Sequence, residues 1–241
     1  MSSLLGPSKQ PDLVWLFDLD NTLHNASASI FPLIDGLMGQ AIQDLLQLDA
    51  KQADHLRRHY WHRYGATLIG LVKHHGVDAA EFLRRSHDFN LEDRILGEAR
   101  LRQHLQRLPG RKIIFTNAPA NYAHRVLNTL SIAPLFERVF SVEDMQLQQH
   151  YRPKPSKLLM RQALAELQIQ GAHCIFVDDT LRNLKAAYQL GIKTVHFAHP
   201  ATPFSSQYAG RTTYVDLRVH SIQQLAQRWH QLAPHSASKR R

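Results

Sequence analysis

The stretch LVWLFDLDNT, residues 13–22, decides the fold class of this 241-residue chain. Its first half is a short apolar run, from Leu13 to Phe17, and its second half carries two carboxylates, Asp18 and Asp20. A continuous apolar run of this length is typical of a strand that is buried on both faces of a parallel sheet. The stretch therefore predicts a buried strand with acidic side chains directly after its carboxyl end.

Further strand and helix patterns follow along the chain. Three more apolar runs of the same kind lie at residues 112–116, 174–177 and 193–197. Apolar residues at helical spacing lie in a helix opened by Pro119, in one opened by Pro155, at 181–190 and at 222–229. Strands that alternate with helices indicate a doubly wound α/β fold. We therefore predict a mostly parallel, Rossmann-like sheet that is flanked by helices.

A long interval separates the first two predicted strands. It holds about 90 residues, whereas a parallel crossover needs only a dozen or so. Apolar stripes within it predict an inserted helical cap domain over residues 27–95. The α/β core then comprises residues 1–26 and 96–241, with flexible ends at 1–10 and 234–241. Because ligands of α/β sheets bind beyond the carboxyl ends of the strands, a cap that leaves from that edge can cover a ligand site.

The composition and charge of the chain bear on whether it binds nucleic acid, spans a membrane or is secreted. The 29 Lys and Arg residues exceed the 20 acidic ones, giving a net charge of +9 that attracts anions. The basic residues are spread along the chain without a recognition motif, so we do not expect nucleic-acid binding. Neither a membrane-spanning run nor a signal-peptide core is visible, and a single cysteine, Cys174, excludes an internal disulfide. We expect a cytoplasmic protein without membrane contact, and the oligomeric state stays open.

Carboxylates follow two of the predicted strands. Asp18 and Asp20 come after the first strand, and Asp178 and Asp179 come after the third. At one edge of a sheet these groups converge, and like charges at close range must be neutralised. Mg²⁺ does this and prefers oxygen ligands. One such cluster alone is common at turns and helix N-caps, so the predicted Mg²⁺ site depends on both clusters together.

Further polar residues fit the same edge. Thr116 and Asn117 follow the second predicted strand and precede a helix, where a hydroxyl and backbone N–H groups can bind an anion. Lys154 lies between Pro153 and Pro155, in a stiff loop before another helix. Carboxylates, a hydroxyl and a lysine supply the charge neutralisation, positioning and proton donor that phosphoryl transfer needs.

These residues, in this order, resemble a known family. The Asp18–Thr22 segment, then Thr116, then Lys154 and then the pair 178–179 are similar to the four ordered motifs of the haloacid dehalogenase-like superfamily. The resemblance covers residues 13 to about 197. It implies the doubly wound fold with an inserted helical cap of that superfamily's first cap class.

The resemblance also implies a reaction and roles for the core residues. Asp18 would be the nucleophile that forms an aspartyl-phosphate, and Asp20 would be the general acid and base. Lys154 would neutralise Asp18 and the phosphate, while Thr116 and the backbone of Asn117 would bind the phosphate. Asp20 argues against a dehalogenase, which has no leaving oxygen to protonate and in this superfamily lacks the second aspartate.

The implied cofactor is Mg²⁺. By resemblance, its ligands would be the carboxylate of Asp18, the backbone carbonyl of Asp20 and Asp179, with Asp178 assisting directly or through water. Asn183 stands where many members carry a third acid, and there it would bind a metal-bound water or retune the affinity for the metal.

A finer resemblance concerns the substrate. The segments Tyr64–Leu71 and Phe115–Ala118, and the segment Asp178–Thr180 with Asn183, are similar to the pyrimidine 5'-nucleotidase branch. This implies hydrolysis of pyrimidine nucleoside 5'-monophosphates, with Thr67 and its neighbours meeting the leaving group; simple helix packing is the alternative for Thr67. A phosphatase for another small phosphate ester, such as a sugar phosphate or phosphoglycolate, is the second hypothesis. A non-catalytic binding protein on the same scaffold is the third.

Overall fold

The computed structural model describes residues 13–200, 202 and 212–232. The two ends predicted to be flexible, 1–10 and 234–241, lie outside these described residues. The strands are β1 (Val14–Phe17), β2 (Arg111–Phe115), β3 (Arg138–Phe140), β4 (Gln146–Leu147), β5 (His150–Tyr151), β6 (Cys174–Asp178), β7 (Lys193–Phe197) and β8 (Leu217–Val219). The helices are α1 (Ala26–Ser29), α2 (Phe31–Leu46), α3 (Ala50–Tyr64), α4 (Thr67–His75), α5 (Ala79–His87), α6 (Leu101–Gln106), α7 (Ala120–Thr129), α8 (Lys157–Glu166), α9 (Leu181–Tyr188) and α10 (Ile222–Arg228).

Six strands form one parallel sheet in the order β3-β2-β1-β6-β7-β8. The first strand lies at its centre, with Phe17 opposite Ile114 of β2 and Val177 of β6. All four strands predicted from apolar runs belong to this sheet, so the predicted doubly wound α/β fold is confirmed. The strands β3 and β8 were not predicted, because three residues each are too few for a recognisable apolar run.

The two faces of β1 pack against different layers of helices. Trp15 and Phe17 belong to the apolar cluster on the side of α7 and α10, whereas Leu16 belongs to the cluster on the side of α8 and α9. All three side chains are buried. Because side chains alternate across a strand, an apolar run without polar interruption supplies both layers.

Helices α2 to α5 lie between α1 and α6 in the interval from β1 to β2, and they surround an apolar cluster of their own. Gly70 of α4 allows the close approach of α3, since a Cβ there would lie 2.0 Å from Cγ of Tyr60. Val142, which follows β3, is buried in the same cluster, and Tyr151 of β5 packs against it. The boundaries 27–95 of a separate cap domain stay a prediction. We call α2 to α5 the inserted helices.

Two predicted helix boundaries differ from the structure. The helix after Pro155 begins only at Lys157, because Ser156 is its N-cap and its hydroxyl accepts a hydrogen bond from the first turn. The helix predicted over 181–190 ends at Tyr188, and Gly191, with φ of +74°, lies in the turn that leads into β7. Both differences leave the sheet edge unchanged.

Cys174 begins β6 and is fully buried, and this burial raises the pKa of its thiol. It is a core residue, as its place in a predicted strand indicates. None of the helices within the described ranges has the length and apolar character needed to cross a bilayer.

Candidate active site

The carboxyl ends of β1 and β6 bring three carboxylates together. Oxygen atoms of Asp18, Asp178 and Asp179 all lie within 4.8 Å of one another. The pairing of Phe17 with Val177 sets this geometry, and the backbone N–H of Asp18 continues the ladder by donating to the carbonyl of Val177 at 2.9 Å. The two acidic clusters that the sequence places after separate strands therefore meet at one point of the sheet edge.

Lys154 lies between two of these carboxylates. Its Nζ donates to Oδ1 of Asp18 at 2.6 Å and to Oδ2 of Asp178 at 2.9 Å, and the residue is only 3% exposed. Burial opposes the charge of this lysine, but Asp178 and Asp18 outweigh that effect and raise its pKa. Lys154 is therefore a permanent cation that faces the predicted nucleophile.

One lysine does not neutralise three carboxylates. Burial raises the pKa of Asp18 well above its usual range; Lys154 opposes this, and the charges of Asp178 and Asp179 add to it. Burial and the neighbouring Asp178 raise the pKa of Asp179 to about 7. A surplus of negative charge on clustered oxygen atoms is the donor set that suits Mg²⁺. The residues at this edge therefore fit the predicted metal.

The two acids after β6 differ in their availability. Asp178 is fully buried, and its Oδ1 accepts hydrogen bonds from the backbone N–H of Thr180 at 2.7 Å and from Nδ2 of Asn183 at 3.0 Å. Its Oδ2 also accepts from Asn183, besides Lys154. Asp179 is half-buried and accepts from the hydroxyl of Thr180 at 3.0 Å. Asp179 is thus the more accessible carboxylate, and Asn183 orients Asp178.

Thr116 and Asn117 lie at the end of β2, next to β1 in the sheet. The hydroxyl of Thr116 is buried and accepts a hydrogen bond from the backbone N–H of Ala118 at 3.1 Å. The side-chain amide of Asn117 is bonded to the backbone of Lys154. The structure thus gives the side chain of Asn117 a positioning role, whereas phosphate binding by Thr116 and by the backbone of Asn117 stays a prediction.

Asp20 has two side-chain partners whose contacts with it are not predicted from the sequence. Its Oδ1 lies 2.6 Å from the hydroxyl of Tyr122 on α7 and 2.9 Å from Nε2 of His24. Burial raises the pKa of Asp20, but the hydrogen bonds from His24 and Tyr122 outweigh it, so that the pKa is lowered. The available signal was a tyrosine on the apolar face of a helix, since a buried phenol needs a polar partner.

The inserted helices reach the site through the turn between α3 and α4. Gly65 has φ of +80° there, and a Cβ on it would lie 3.9 Å from the carbonyl oxygen of Lys154. A contact of Thr67 with a leaving group stays a prediction, and Thr67 itself lies at the start of α4. It is buried, and its hydroxyl donates to the carbonyl of Arg57 at 3.2 Å. Its hydroxyl is thus used within the inserted helices, which corresponds to the helix-packing alternative.

Comparison with known proteins gives a family match. A family model described as haloacid dehalogenase-like hydrolase matches residues 14–191. Phosphate metabolism protein 8 of Saccharomyces cerevisiae is 27% identical over 202 residues, which cover 77% of this chain and 63% of that protein. The chain thus spans a little under two thirds of the length of this curated relative.

Solved structures with the same fold include enzymes of different reactions. A HAD phosphatase from Thermococcus onnurineus has a TM-score of 0.61 and 15% identity, covering 89% of this chain and 96% of that one. L-2-haloacid dehalogenase from Xanthobacter autotrophicus has a TM-score of 0.56 and 15% identity, covering 90% of this chain and 98% of that one. At these identities the likeness shows a common fold, and the reaction has to follow from the residues of the site.

Proposed function

Because the chain belongs to the haloacid dehalogenase-like hydrolase family, we propose that it is a Mg²⁺-dependent phosphomonoesterase. One observation carries this proposal. Asp18 is paired with the buried Lys154 at 2.6 Å, and a second carboxylate, Asp20, follows two residues later with hydrogen-bond partners of its own. A nucleophile, a fixed cation and a separate proton carrier are the groups that hydrolysis through an aspartyl-phosphate requires.

The reaction runs in two displacements. A carboxylate oxygen of Asp18 attacks phosphorus, the ester P–O bond breaks, and the leaving oxygen takes a proton from Asp20. Asp20 then takes a proton from water, whose oxygen attacks phosphorus and breaks the P–O bond to Asp18. Inorganic phosphate leaves, and both aspartates return to their starting state. The lowered pKa of Asp20 favours its carboxylate form, which is the form that accepts the proton from water in the second displacement.

Negative charge on the transferred phosphoryl group would be stabilised by Lys154 directly, and by the acids at the sheet edge through the metal that they would hold. Lys154 faces Asp18 and would neutralise negative charge on the transferred phosphoryl group. Asp18, Asp178 and Asp179, with the backbone carbonyl of Asp20, would hold Mg²⁺. When bound, the metal supplies further neutralisation of the phosphate oxygens.

Asp20 separates this proposal from dehalogenation, the other reaction found on the fold. A halide leaves without a proton, so a dehalogenase has no use for a second carboxylate at this position. Here that carboxylate is present and accepts hydrogen bonds from two buried side chains, His24 and Tyr122. This arrangement favours an oxygen leaving group.

For the substrate we propose pyrimidine nucleoside 5'-monophosphates. The resemblance of Tyr64–Leu71 to the pyrimidine 5'-nucleotidase branch supports this, as does the position of Gly65 beside the Lys154 loop. A sugar phosphate or phosphoglycolate is the alternative for the same chemistry, and a non-catalytic binding protein is the alternative to catalysis. The cytoplasmic location stays a prediction.

The test is phosphate release from a panel of esters, with and without Mg²⁺. The panel comprises UMP, CMP, dTMP, AMP, GMP, sugar phosphates and phosphoglycolate, and Asp18→Asn is the control for contaminating phosphatase. Preference for UMP, CMP or dTMP supports the nucleotidase. Preference for sugar phosphates or phosphoglycolate retains the mechanism and replaces the substrate. A folded protein that releases no phosphate from any ester contradicts the proposal and supports the binding protein.

A further inference from the structure

The hydrogen bonds of Asp20 fall on one of its two carboxylate oxygens. Oδ1 receives both the Tyr122 hydroxyl and Nε2 of His24. Within residues 13–200, 202 and 212–232, no hydrogen bond reaches Oδ2. We propose that Tyr122 and His24 are positioning residues that fix Asp20 through Oδ1, so that Oδ2 is the oxygen that exchanges the proton with the leaving group. This inference rests on the proposed function.

Tyr122 is a rigid donor. Its residue is 1% exposed, and its hydroxyl lies 2.6 Å from Oδ1, a short distance typical of a hydrogen bond to a charged acceptor. Because a carboxylate oxygen can only accept, the phenol is the donor of this hydrogen bond.

His24 is the second donor, and its surroundings select one tautomer. Its side chain is fully buried, with Nε2 at 2.9 Å from Oδ1 of Asp20. Among the described residues Nδ1 has no hydrogen-bond partner. A proton on Nδ1 would thus be a buried donor without an acceptor, which is costly. The proton belongs on Nε2, where it is donated to Asp20.

The ring of Tyr122 is also in contact with the inserted helices. His87 of α5 packs against it, with ring centroids 5.4 Å apart and planes at 65°. The hydroxyl of Tyr122 therefore has little freedom to leave Asp20. Two donors on one oxygen also restrict rotation of the carboxylate, which keeps Oδ2 in a constant direction.

The experiment compares two esters that differ in their need for a proton. Nitrophenolate leaves from p-nitrophenyl phosphate with little protonation, whereas an alkoxide requires the proton of Asp20. We therefore measure kcat/KM, which reports the first displacement, for p-nitrophenyl phosphate and for the alkyl phosphate that wild-type protein hydrolyses fastest. In Tyr122→Phe we expect the alkyl ester to lose about 10- to 100-fold, and p-nitrophenyl phosphate less than about threefold.

Two controls separate positioning from structural damage. Tyr60→Phe removes a comparable hydroxyl, bonded to Nε2 of His75 at 2.7 Å within the inserted helices, and we expect the ratio of the two esters to stay at its wild-type value. His24→Gln retains a donor near the position of Nε2, whereas His24→Asn is one methylene shorter. We expect His24→Gln to keep the wild-type ratio of kcat/KM for the two esters and His24→Asn to lower kcat/KM for the alkyl ester selectively. This pair also provides the test if Tyr122→Phe does not fold.

The outcomes distinguish the two proposals. Wild-type protein that is active, with equal losses on both esters in Tyr122→Phe or with no loss, overturns the positioning role and leaves the phosphatase intact. Wild-type protein that is folded and hydrolyses neither ester overturns the proposed function, and the positioning role with it.

Discussion

The side-chain amide of Asn117 holds the backbone of Lys154 at both of its polar groups. Its Oδ1 accepts from the N–H of Lys154 at 2.9 Å, and its Nδ2 donates to the carbonyl of Lys154 at 3.3 Å, across 37 residues of sequence. A residue at the end of β2 thereby fixes the loop that carries Lys154, the cation that faces Asp18 after β1. The position of the ammonium group relative to Asp18 depends on this amide.

Replacing Asn117 by Ala removes both hydrogen bonds. We expect a loss of stability of about 1–2 kcal/mol and a fall in kcat of about tenfold or more, because Lys154 loses its fixed direction. Asn121→Ala, at an exposed position of α7, is the matched control. Steady-state kinetics and urea unfolding measure the two effects. Wild-type kcat in Asn117→Ala would show that the loop holds Lys154 without the amide.

Replacing Lys154 by Met leaves Asp18 and Asp178 buried without their cation. Loss of one partner from a buried ion pair typically costs about 3–5 kcal/mol, and we expect a destabilisation of this size together with loss of phosphate release. Lys157→Met, an exposed substitution on α8, controls for the change in side chain. Denaturant midpoints provide the comparison, and equal midpoints for the two variants would contradict the prediction.

The raised pKa of Asp179 predicts a pH dependence of metal binding. Burial and Asp178 raise this pKa to about 7 in the folded chain, against about 3.9 when unfolded. The folded state then binds the proton more tightly, so this group's contribution to the free energy of unfolding falls as the pH rises from about 4 to about 7. Because Mg²⁺ needs the carboxylate, it competes with that proton. We expect a larger rise in Tm on adding Mg²⁺ at pH 8 than at pH 6.

Thermal unfolding of Asp179→Asn tests the assignment to this residue. The substitution removes the titrating group, so the rise with Mg²⁺ should be small at both pH values. Asp93→Asn, at an exposed position, should retain the wild-type difference. A wild-type rise that is the same at pH 6 and pH 8 would argue against competition at Asp179.

Asp18→Asn tests the covalent mechanism. An amide cannot attack phosphorus as a carboxylate does, and we expect turnover to fall below about a thousandth of the wild-type value. The fold should persist, because Lys154 retains its contact with Asp178 at 2.9 Å. Phosphate release and circular dichroism check the two statements. A variant with substantial turnover would refute nucleophilic attack by this residue.

Sequence patterns predict the strands that place the site but not the contacts across the fold. The run before Asp18 is apolar throughout because β1 is central and covered on both faces, and such an uninterrupted apolar run can be recognised as a strand in the sequence. Tyr122 meets Asp20 from 102 residues away, through the way α7 packs on the sheet. No local pattern reports such an approach. Sequence spacing also does not show in which direction the hydroxyl of Thr67 points, and this hydroxyl is bonded within the inserted helices.

The burial of Val142 among the inserted helices bears on how this protein could be re-engineered. Val142 is 3% exposed in their apolar cluster, and Tyr151 packs against the same cluster, although both follow β3 in the chain. If only the helical insertion were transferred to a homologous scaffold, the transferred helices would have a cavity where Val142 had packed. The original core would be left with Val142 and Tyr151 exposed as an apolar patch. A chimera would have to exchange residues 141–151 along with the helices, because the two segments share one apolar cluster and can be exchanged only together.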